Sequence, residues 1–160
     1  GYIEETGAAQ HLRDARILTI YEGTTAIQAN DLLGRKTLRD GGELARSIAG
    51  QIEATEAALA ARSSVAAKAM HRWLHASREA FIDVVDVVVA QTRAQPTAAY
   101  AGSVPYLMLA GQLLAGWQLA RALVVAEEQL ADASAARQSD AAFLQAKVAT
   151  ARFYAEHILS

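Results

Sequence analysis

Apolar side chains recur at the spacing of an α-helix through most of this chain, and helix-breaking residues fall between those stretches. Both prolines, Pro96 and Pro105, lie in one short interval, and Gly41-Gly42 and Ser63-Ser64 supply the other clear breaks. Each apolar stripe has the period of an amphipathic helix rather than the alternation of a strand. The pattern predicts an all-α fold.

Four long helices are predicted after Gly42, and their apolar stripes are long enough to cover one another in an antiparallel bundle. The predicted stripes are Leu44, Ile48, Ile52, Thr55 and Leu59; Val65, Ala69, Trp73, Ser77, Phe81, Val84 and Val88; the segment 106–125; and Phe143, Leu144, Val148, Ala151, Tyr154 and Ile158. A helix–turn–helix segment precedes the bundle, with helices predicted at about Ile3–Asp14 and Thr25–Leu38.

The third bundle helix is apolar nearly all round, from Pro105 to Val125. Such a helix is either a core helix or a membrane span. Two glutamines and Arg121 interrupt it, and a charge at membrane depth is expensive. We therefore predict a central core helix, in which Gly111 and Gly116 allow neighbouring helices to approach closely.

Charge and cysteine content exclude several classes of function. The chain has 160 residues, a formal net charge of -2 and no cysteine, which excludes disulfides, thiol catalysis and thiolate metal sites. Nucleic-acid binding needs a clustered basic face, and the one short basic cluster, Arg35-Lys36 with Arg39, is typical of the last turn of a helix. An alanine-rich chain without a signal-peptide pattern indicates the cytoplasm.

Two residue pairs could be mistaken for sites. His71 and His75 stand four apart on a helix, the spacing at which two imidazoles reach one zinc ion, but no third ligand follows at helical spacing. We interpret them as surface or interface histidines. Asp83 and Asp86 lie beside valines and are interpreted as the polar side of their helix. No metal site is predicted.

The run Tyr21-Glu22-Gly23-Thr24-Thr25 sets a carboxylate on a glycine turn just before a helix. Gly23 can adopt a positive φ at no steric cost, and Thr24 or Thr25 is placed to supply the N-cap oxygen. The free N–H groups at the start of that helix suit a phosphate or a developing oxyanion. An ordinary first-turn glutamate with a capping threonine fits the same residues.

This run, followed by Ile27-Gln28, resembles the C-terminal end of the acyl-CoA dehydrogenase family. The upstream segments Gly1–Glu5, Gly7–Gln10 and Arg13–Ile17 resemble the sequence that leads into that turn. Together the matches cover about the first quarter of the chain. Ala26 departs from the family pattern, which usually has a longer polar residue there, so that contact is left to the backbone.

The resemblance implies FAD chemistry on an acyl-CoA substrate. In the family, a glutamate equivalent to Glu22 removes the α-proton of an acyl thioester while the flavin takes a hydride from the β-carbon. The resemblance places Gly23 at the substrate and Thr24, Thr25 and Ala26 at the cofactor. It also implies an electron-transfer acceptor and a homo-oligomer, with no membrane or nucleic-acid partner.

The resemblance further divides the chain into residues 1–40, the end of the C-terminal helical domain, and residues 43–160, a helical extension. That extension resembles the one in relatives acting on methylthio-propionyl-CoA. The family's main flavin-binding domains lie upstream of this segment, so we expect the isolated chain to be inactive and to retain no FAD. An acyl-CoA oxidase, or a helical oligomerisation module without catalysis, remains an alternative.

Overall fold

The computed structural model describes residues 3–20, 24–92, 94–132 and 138–160, and every regular element within them is helical. The helices are α1 (Ala8–Ile20), α2 (Thr25–Asp31), α3 (Glu43–Ala60), α4 (Val65–Gln91), α5 (Pro96–Ala101), α6 (Ser103–Ala131) and α7 (Gln138–His157). A short 3₁₀ turn, Glu4–Thr6, precedes α1, and a π-helix, Leu32–Leu38, continues α2 without a break.

Helices α3 and α4 are antiparallel neighbours. Arg46, near the start of α3, pairs with Asp86, near the end of α4, at 2.6 Å. Further along, Glu56 of α3 pairs with Arg78 of α4 at 2.7 Å. The order of these pairs along the two helices fixes their opposite directions, as a short connection between helices favours.

Helix α6 runs antiparallel to α4. Phe81 stacks on Tyr106 with ring centroids 5.9 Å apart, while Ser64, the residue before α4, donates to Glu127 near the end of α6. Helix α7 turns back along α6, since the Tyr154 hydroxyl donates to the carbonyl of Gln112 at 3.1 Å. The predicted all-α antiparallel bundle of four long helices, α3, α4, α6 and α7, is confirmed.

The core is one cluster shared by these four helices and the π-helix. Its largest fully buried side chains are Leu33, Ile52, Leu59, Met70, Leu74, Leu113, Leu123, Val85 and Thr37. Small residues lie between them, such as Ala67, Ala120 and Ala155, all at 0% exposure. Alanine at these positions lets the helix backbones approach one another closely.

The predicted stripes are right in part. In α3, α4 and α7, six of the predicted stripe side chains are buried: Ile52, Leu59, Phe81, Val88, Leu144 and Ala151. Four others, Leu44, Val65, Phe143 and Ile158, are exposed. The buried faces include residues that the stripes left out, Ala45 and Ala49 in α3 and Met70 and Leu74 in α4. Alanine carries little weight in a hydrophobic pattern, which accounts for the error in α3.

Helix α6 takes the central place predicted for it, with α3, α4, α7 and α2 all packed against it. Gly116 permits one close approach, because a Cβ there would lie 2.7 Å from Leu159 Cδ1. The same prediction for Gly111 is wrong, since a Cβ there would meet nothing within 4 Å. The outer face, with Met108 and Val125, is exposed rather than buried.

Among the described residues, α6 is also the one helix long and apolar enough to cross a membrane. That criterion counts length and composition only, and the central helix of a globular bundle meets it as well. In this bundle, 28% of the most apolar stretch of α6 is buried, so packing within the described residues explains part of its hydropathy.

The first helix differs from its prediction. Gly7, at φ 73°, ends the 3₁₀ turn, and α1 then runs from Ala8 through Ile20 instead of ending at Asp14. Asp14 does not break the helix, since its carboxylate accepts a hydrogen bond from Gln10 one turn earlier at 2.7 Å. No residue of α1 is buried.

The second predicted helix, from Thr25 to Leu38, is confirmed, and its basic last turn gives way to Gly41 and Gly42 at φ 66° and 84°. Asp40 stabilises this junction by accepting from the N–H groups of Leu44 and Gly42. The hydrogen bond from Leu44 is the largest of the causes that hold the pKa of Asp40 below its ordinary value.

Candidate functional site

The predicted site residues fall at the start of α2, and two of them, Glu22 and Gly23, lie outside the described residues. Thr24 is half-buried and immediately precedes α2, while Thr25 and Ala26 form its exposed first turn. The structure therefore brings the three predicted cofactor residues together at one helix end.

Thr24 occupies the N-cap position but does not cap the helix through its side chain. Its backbone, at φ −98° and ψ 3°, is not extended, and side-chain capping requires an extended residue. Ser64 shows the contrast, because at ψ 151° its hydroxyl accepts from the N–H of Ala67. The predicted capping by Thr24 or Thr25 is wrong, and the threonine hydroxyl does not occupy the first N–H groups of α2.

Helix α2 is held against the bundle on its opposite side. Ala29 and Leu33 are fully buried. The hydroxyl of Ser103, in the first turn of α6, donates to Asn30 Oδ1 at 2.8 Å. Apolar contact and a directional hydrogen bond together fix α2 on the start of α6.

The π-helix that continues α2 carries a second polar contact with α6. The Thr37 hydroxyl donates to the carbonyl of Leu32 at 2.9 Å and lies 2.8 Å from the Tyr106 hydroxyl. Burial of Tyr106 raises the pKa of its phenol. Wider helical turns of this kind recur at functional sites, and no residue pattern in the sequence predicted this one.

Two apolar recesses border Tyr106. One, of about 440 Å³, lies between α4, α5 and α6 and is lined by residues including Val84, Val88 and Leu109. The other, of about 170 Å³, lies beneath the π-helix, with Lys36 in its lining. Neither recess brings together an acid and a base, so neither supplies proton-transfer chemistry.

A buried carboxylate that the sequence did not reveal lies between α3 and α4. Glu56 is 4% exposed and accepts hydrogen bonds from Arg78 Nε at 2.7 Å and Nη2 at 3.1 Å. The oxygen that accepts from Nη2, Oε2, is also 3.0 Å from His75 Nδ1. Burial alone would raise the pKa of Glu56, but the hydrogen bonds from Arg78 and His75 outweigh it, so the pKa lies below its ordinary value.

The remaining candidate pairs are structural. The rings of His71 and His75 stack with centroids 6.3 Å apart, and His75 points its Nδ1 at Glu56 rather than at a shared ion. Across the described residues, no three metal-ligating side chains meet. Asp83 and Asp86 are exposed, as predicted for the polar side of α4.

Comparison with protein families gives two matches that divide the chain. Residues 48–160 match the family described as "Acetyl-CoA dehydrogenase C-terminal like". Residues 1–37 match the family described as "Acyl-CoA dehydrogenase, C-terminal domain".

Three curated relatives align with 99% of this chain. They are a 3-methylmercaptopropionyl-CoA dehydrogenase of Ruegeria pomeroyi, 54% identical; the broad-specificity linear acyl-CoA dehydrogenase FadE5 of Mycobacterium tuberculosis, 34% identical; and a butyryl-CoA dehydrogenase of Syntrophomonas wolfei, 28% identical. The chain spans 26%, 26% and 25% of their respective lengths. Because one C-terminal family model matches well over half of its residues, the chain belongs to the acyl-CoA dehydrogenase family, in the C-terminal region of those enzymes.

Proposed function

We propose that this chain is the C-terminal part of a flavin-dependent acyl-CoA dehydrogenase that converts an acyl-CoA into its α,β-unsaturated product. The observation that carries the proposal is the 54% identity, over 99% of the chain, to a 3-methylmercaptopropionyl-CoA dehydrogenase. The Glu22-Gly23-Thr24 run directly before α2 supports it from the residues themselves.

We further propose two units, residues 1–40 and 43–160. Gly41 and Gly42, both at positive φ, form the junction. The two family matches end at residue 37 and begin at residue 48, on either side of that junction. The first unit carries the proposed site, and the second is the helical extension on which α2 is packed.

The start of α2 fits a flavin through its exposed backbone N–H groups. Its first turn is exposed, and the Thr24 hydroxyl leaves the N–H groups there free of a side-chain cap. Free N–H groups at a helix start bind phosphate and hydroxyl oxygens. Thr24 and Thr25 would hold FAD through backbone and hydroxyl groups, and Ala26 through its backbone alone.

When bound, the flavin supplies the acceptor for the hydride that leaves the β-carbon of the acyl group. The residues of this chain supply the proton chemistry. Glu22 accepts the α-proton, its backbone N–H donates to the thioester oxygen on which negative charge develops, and Gly23 lets the main chain approach the thioester closely.

The substrate we propose is a short acyl-CoA, with 3-methylmercaptopropionyl-CoA the first to test. We expect a cytoplasmic homo-oligomer that passes electrons to a protein acceptor. The intact enzyme, assayed with this substrate, butyryl-CoA and a long linear acyl-CoA, should reduce an artificial electron-accepting dye. Hydrogen peroxide produced at the rate of turnover would favour an acyl-CoA oxidase instead.

The role of Glu22 is tested by Glu22→Gln in the intact enzyme, with Glu5→Gln as the matched control. Glutamine keeps the shape and length of the side chain but cannot accept the α-proton. We expect turnover to fall about 100-fold or more with flavin content unchanged, and Glu5→Gln to behave as the wild type. Wild-type turnover by Glu22→Gln would refute the proposed base.

A further inference from the structure

We infer that Ser103 and Asn30 form a positioning pair that holds α2, and with it the first turn that carries the proposed flavin contacts of Thr25 and Ala26, in a fixed place on the helical extension. The inference rests on the proposed function, because it assigns these residues to the reaction and not to folding alone. Neither residue belongs to the Glu-Gly-Thr run.

The hydrogen bond within this pair is directional and part-buried. Ser103 is 4% exposed, and its hydroxyl donates to Asn30 Oδ1 at 2.8 Å. Asn30 itself lies on the exposed side of α2. A short bond from a buried donor fixes the rotation of a helix about its axis more tightly than apolar contact does, since apolar contact tolerates sliding.

The same short stretch of the chain that contains Ser103 meets the π-helix at two further points. Tyr100 lies so close to Gly34 that a Cβ there would be 2.6 Å from its hydroxyl oxygen. Tyr106 contacts Thr37 at 2.8 Å. Residues 100–106 therefore lie against segment 30–37 at three points. The positioning pair is the contact nearest the start of α2.

The proposed flavin contacts lie close to the positioning pair. Thr25 and Asn30 are five residues apart, roughly 7.5 Å along a helix. A rotation of α2 therefore moves Thr25 and Ala26. Misplacing a reacting group by about 1 Å can lower a rate about 100-fold.

The experiment compares Ser103→Ala, Asn30→Ala, their double variant and Asn30→Asp in the intact enzyme. Flavin bleaching at saturating acyl-CoA, KM and melting temperature are measured for each. Asn30→Asp keeps an oxygen that can accept from Ser103. The control is Thr55→Ala, which removes another interhelical bond, the 2.8 Å contact from Trp117 Nε1.

We expect each single alanine variant to bleach about tenfold more slowly with KM nearly unchanged, and the double variant to lose no more than either single variant. Asn30→Asp should keep most of the wild-type rate. Thr55→Ala should lower only the melting temperature. Because Asn30 is exposed, Asn30→Ala should fold even where Ser103→Ala does not.

The inference is overturned if the Ser103 and Asn30 variants behave like Thr55→Ala, losing stability while keeping the wild-type rate. In that case Glu22→Gln still decides the proposed function by itself. Conversely, wild-type turnover by Glu22→Gln would reject the proposed base, whatever the positioning variants show.

Discussion

Replacing Arg78 with alanine should lower the free energy of unfolding of this chain by about 3 kcal/mol at pH 7. The change leaves Glu56, 4% exposed, without two of its hydrogen bonds, those from Arg78 at 2.7 and 3.1 Å. Breaking a buried ion pair from one side costs about 3 to 5 kcal/mol. The lower end applies, because His75 still contacts Glu56 at 3.0 Å.

The pH dependence of this loss has a definite sign. In the wild type the pKa of Glu56 lies below its ordinary 4.5, so its stabilisation is present above that pH and is lost as the pH falls through the lower, folded-state pKa. Without Arg78, burial favours the neutral acid. The difference between variant and wild type should therefore shrink at about pH 4 and below.

Urea unfolding followed by far-ultraviolet circular dichroism, at pH 7 and at pH 4, measures both quantities. The matched control is Arg152→Ala, which breaks an exposed pair with Glu156 at 2.9 Å and should cost about 0.5 kcal/mol or less. A loss for Arg78→Ala no larger than for Arg152→Ala would refute the reasoning. So would a loss that does not change between the two pH values.

Three further predictions concern the fold and the isolated chain. Gly111→Ala should raise the free energy of unfolding, measured in urea, by about 0.5 to 1 kcal/mol. Gly116→Ala should show no such gain, because its Cβ would lie 2.7 Å from Leu159. Equal gains would contradict the packing described for Gly116. Asp40→Ala should lower the melting temperature at pH 7. The difference should shrink as the pH falls from the ordinary pKa of 3.8 through the lower pKa that Asp40 has in the folded chain; a pH-independent difference would count against the hydrogen bonds that Asp40 accepts. The purified chain should be helical and colourless, and it should self-associate through the exposed side chains of α1, including Ile17 and Leu18; micromolar flavin binding, or a monomer at all concentrations, would contradict this.

Helix positions followed from the sequence because the signals for them are local. Gly41-Gly42 and Ser63-Ser64 proved to be breaks between helices. The interval from Pro96 to Pro105 is not one break, because it holds the short helix α5 and the start of α6, with interruptions just before Pro96 and at Gly102. Helix faces were harder to predict. In α3 the buried side includes Ala45 and Ala49 while Leu44 is exposed, and small residues at the closest contacts carry little weight in a hydrophobic pattern.

Contacts between distant residues could not be predicted at all. Glu56 lies among polar positions of its helix, and its partner Arg78 is 22 residues away. Ser103 and Asn30 are 73 residues apart, and nothing in the residues around either one predicts that they meet. Glu22 was identified through its resemblance to a family motif, and its role stays a prediction.

The most direct measurement of that role is the exchange of α-hydrogen between substrate and water. An acyl-CoA carrying deuterium at C2 is incubated anaerobically with the intact enzyme, without an electron acceptor, so that proton removal is followed separately from net oxidation. If Glu22 is the base, the wild type exchanges the label with water. Glu22→Gln should exchange it at least about 100-fold more slowly. Exchange by Glu22→Gln at the wild-type rate would contradict the account.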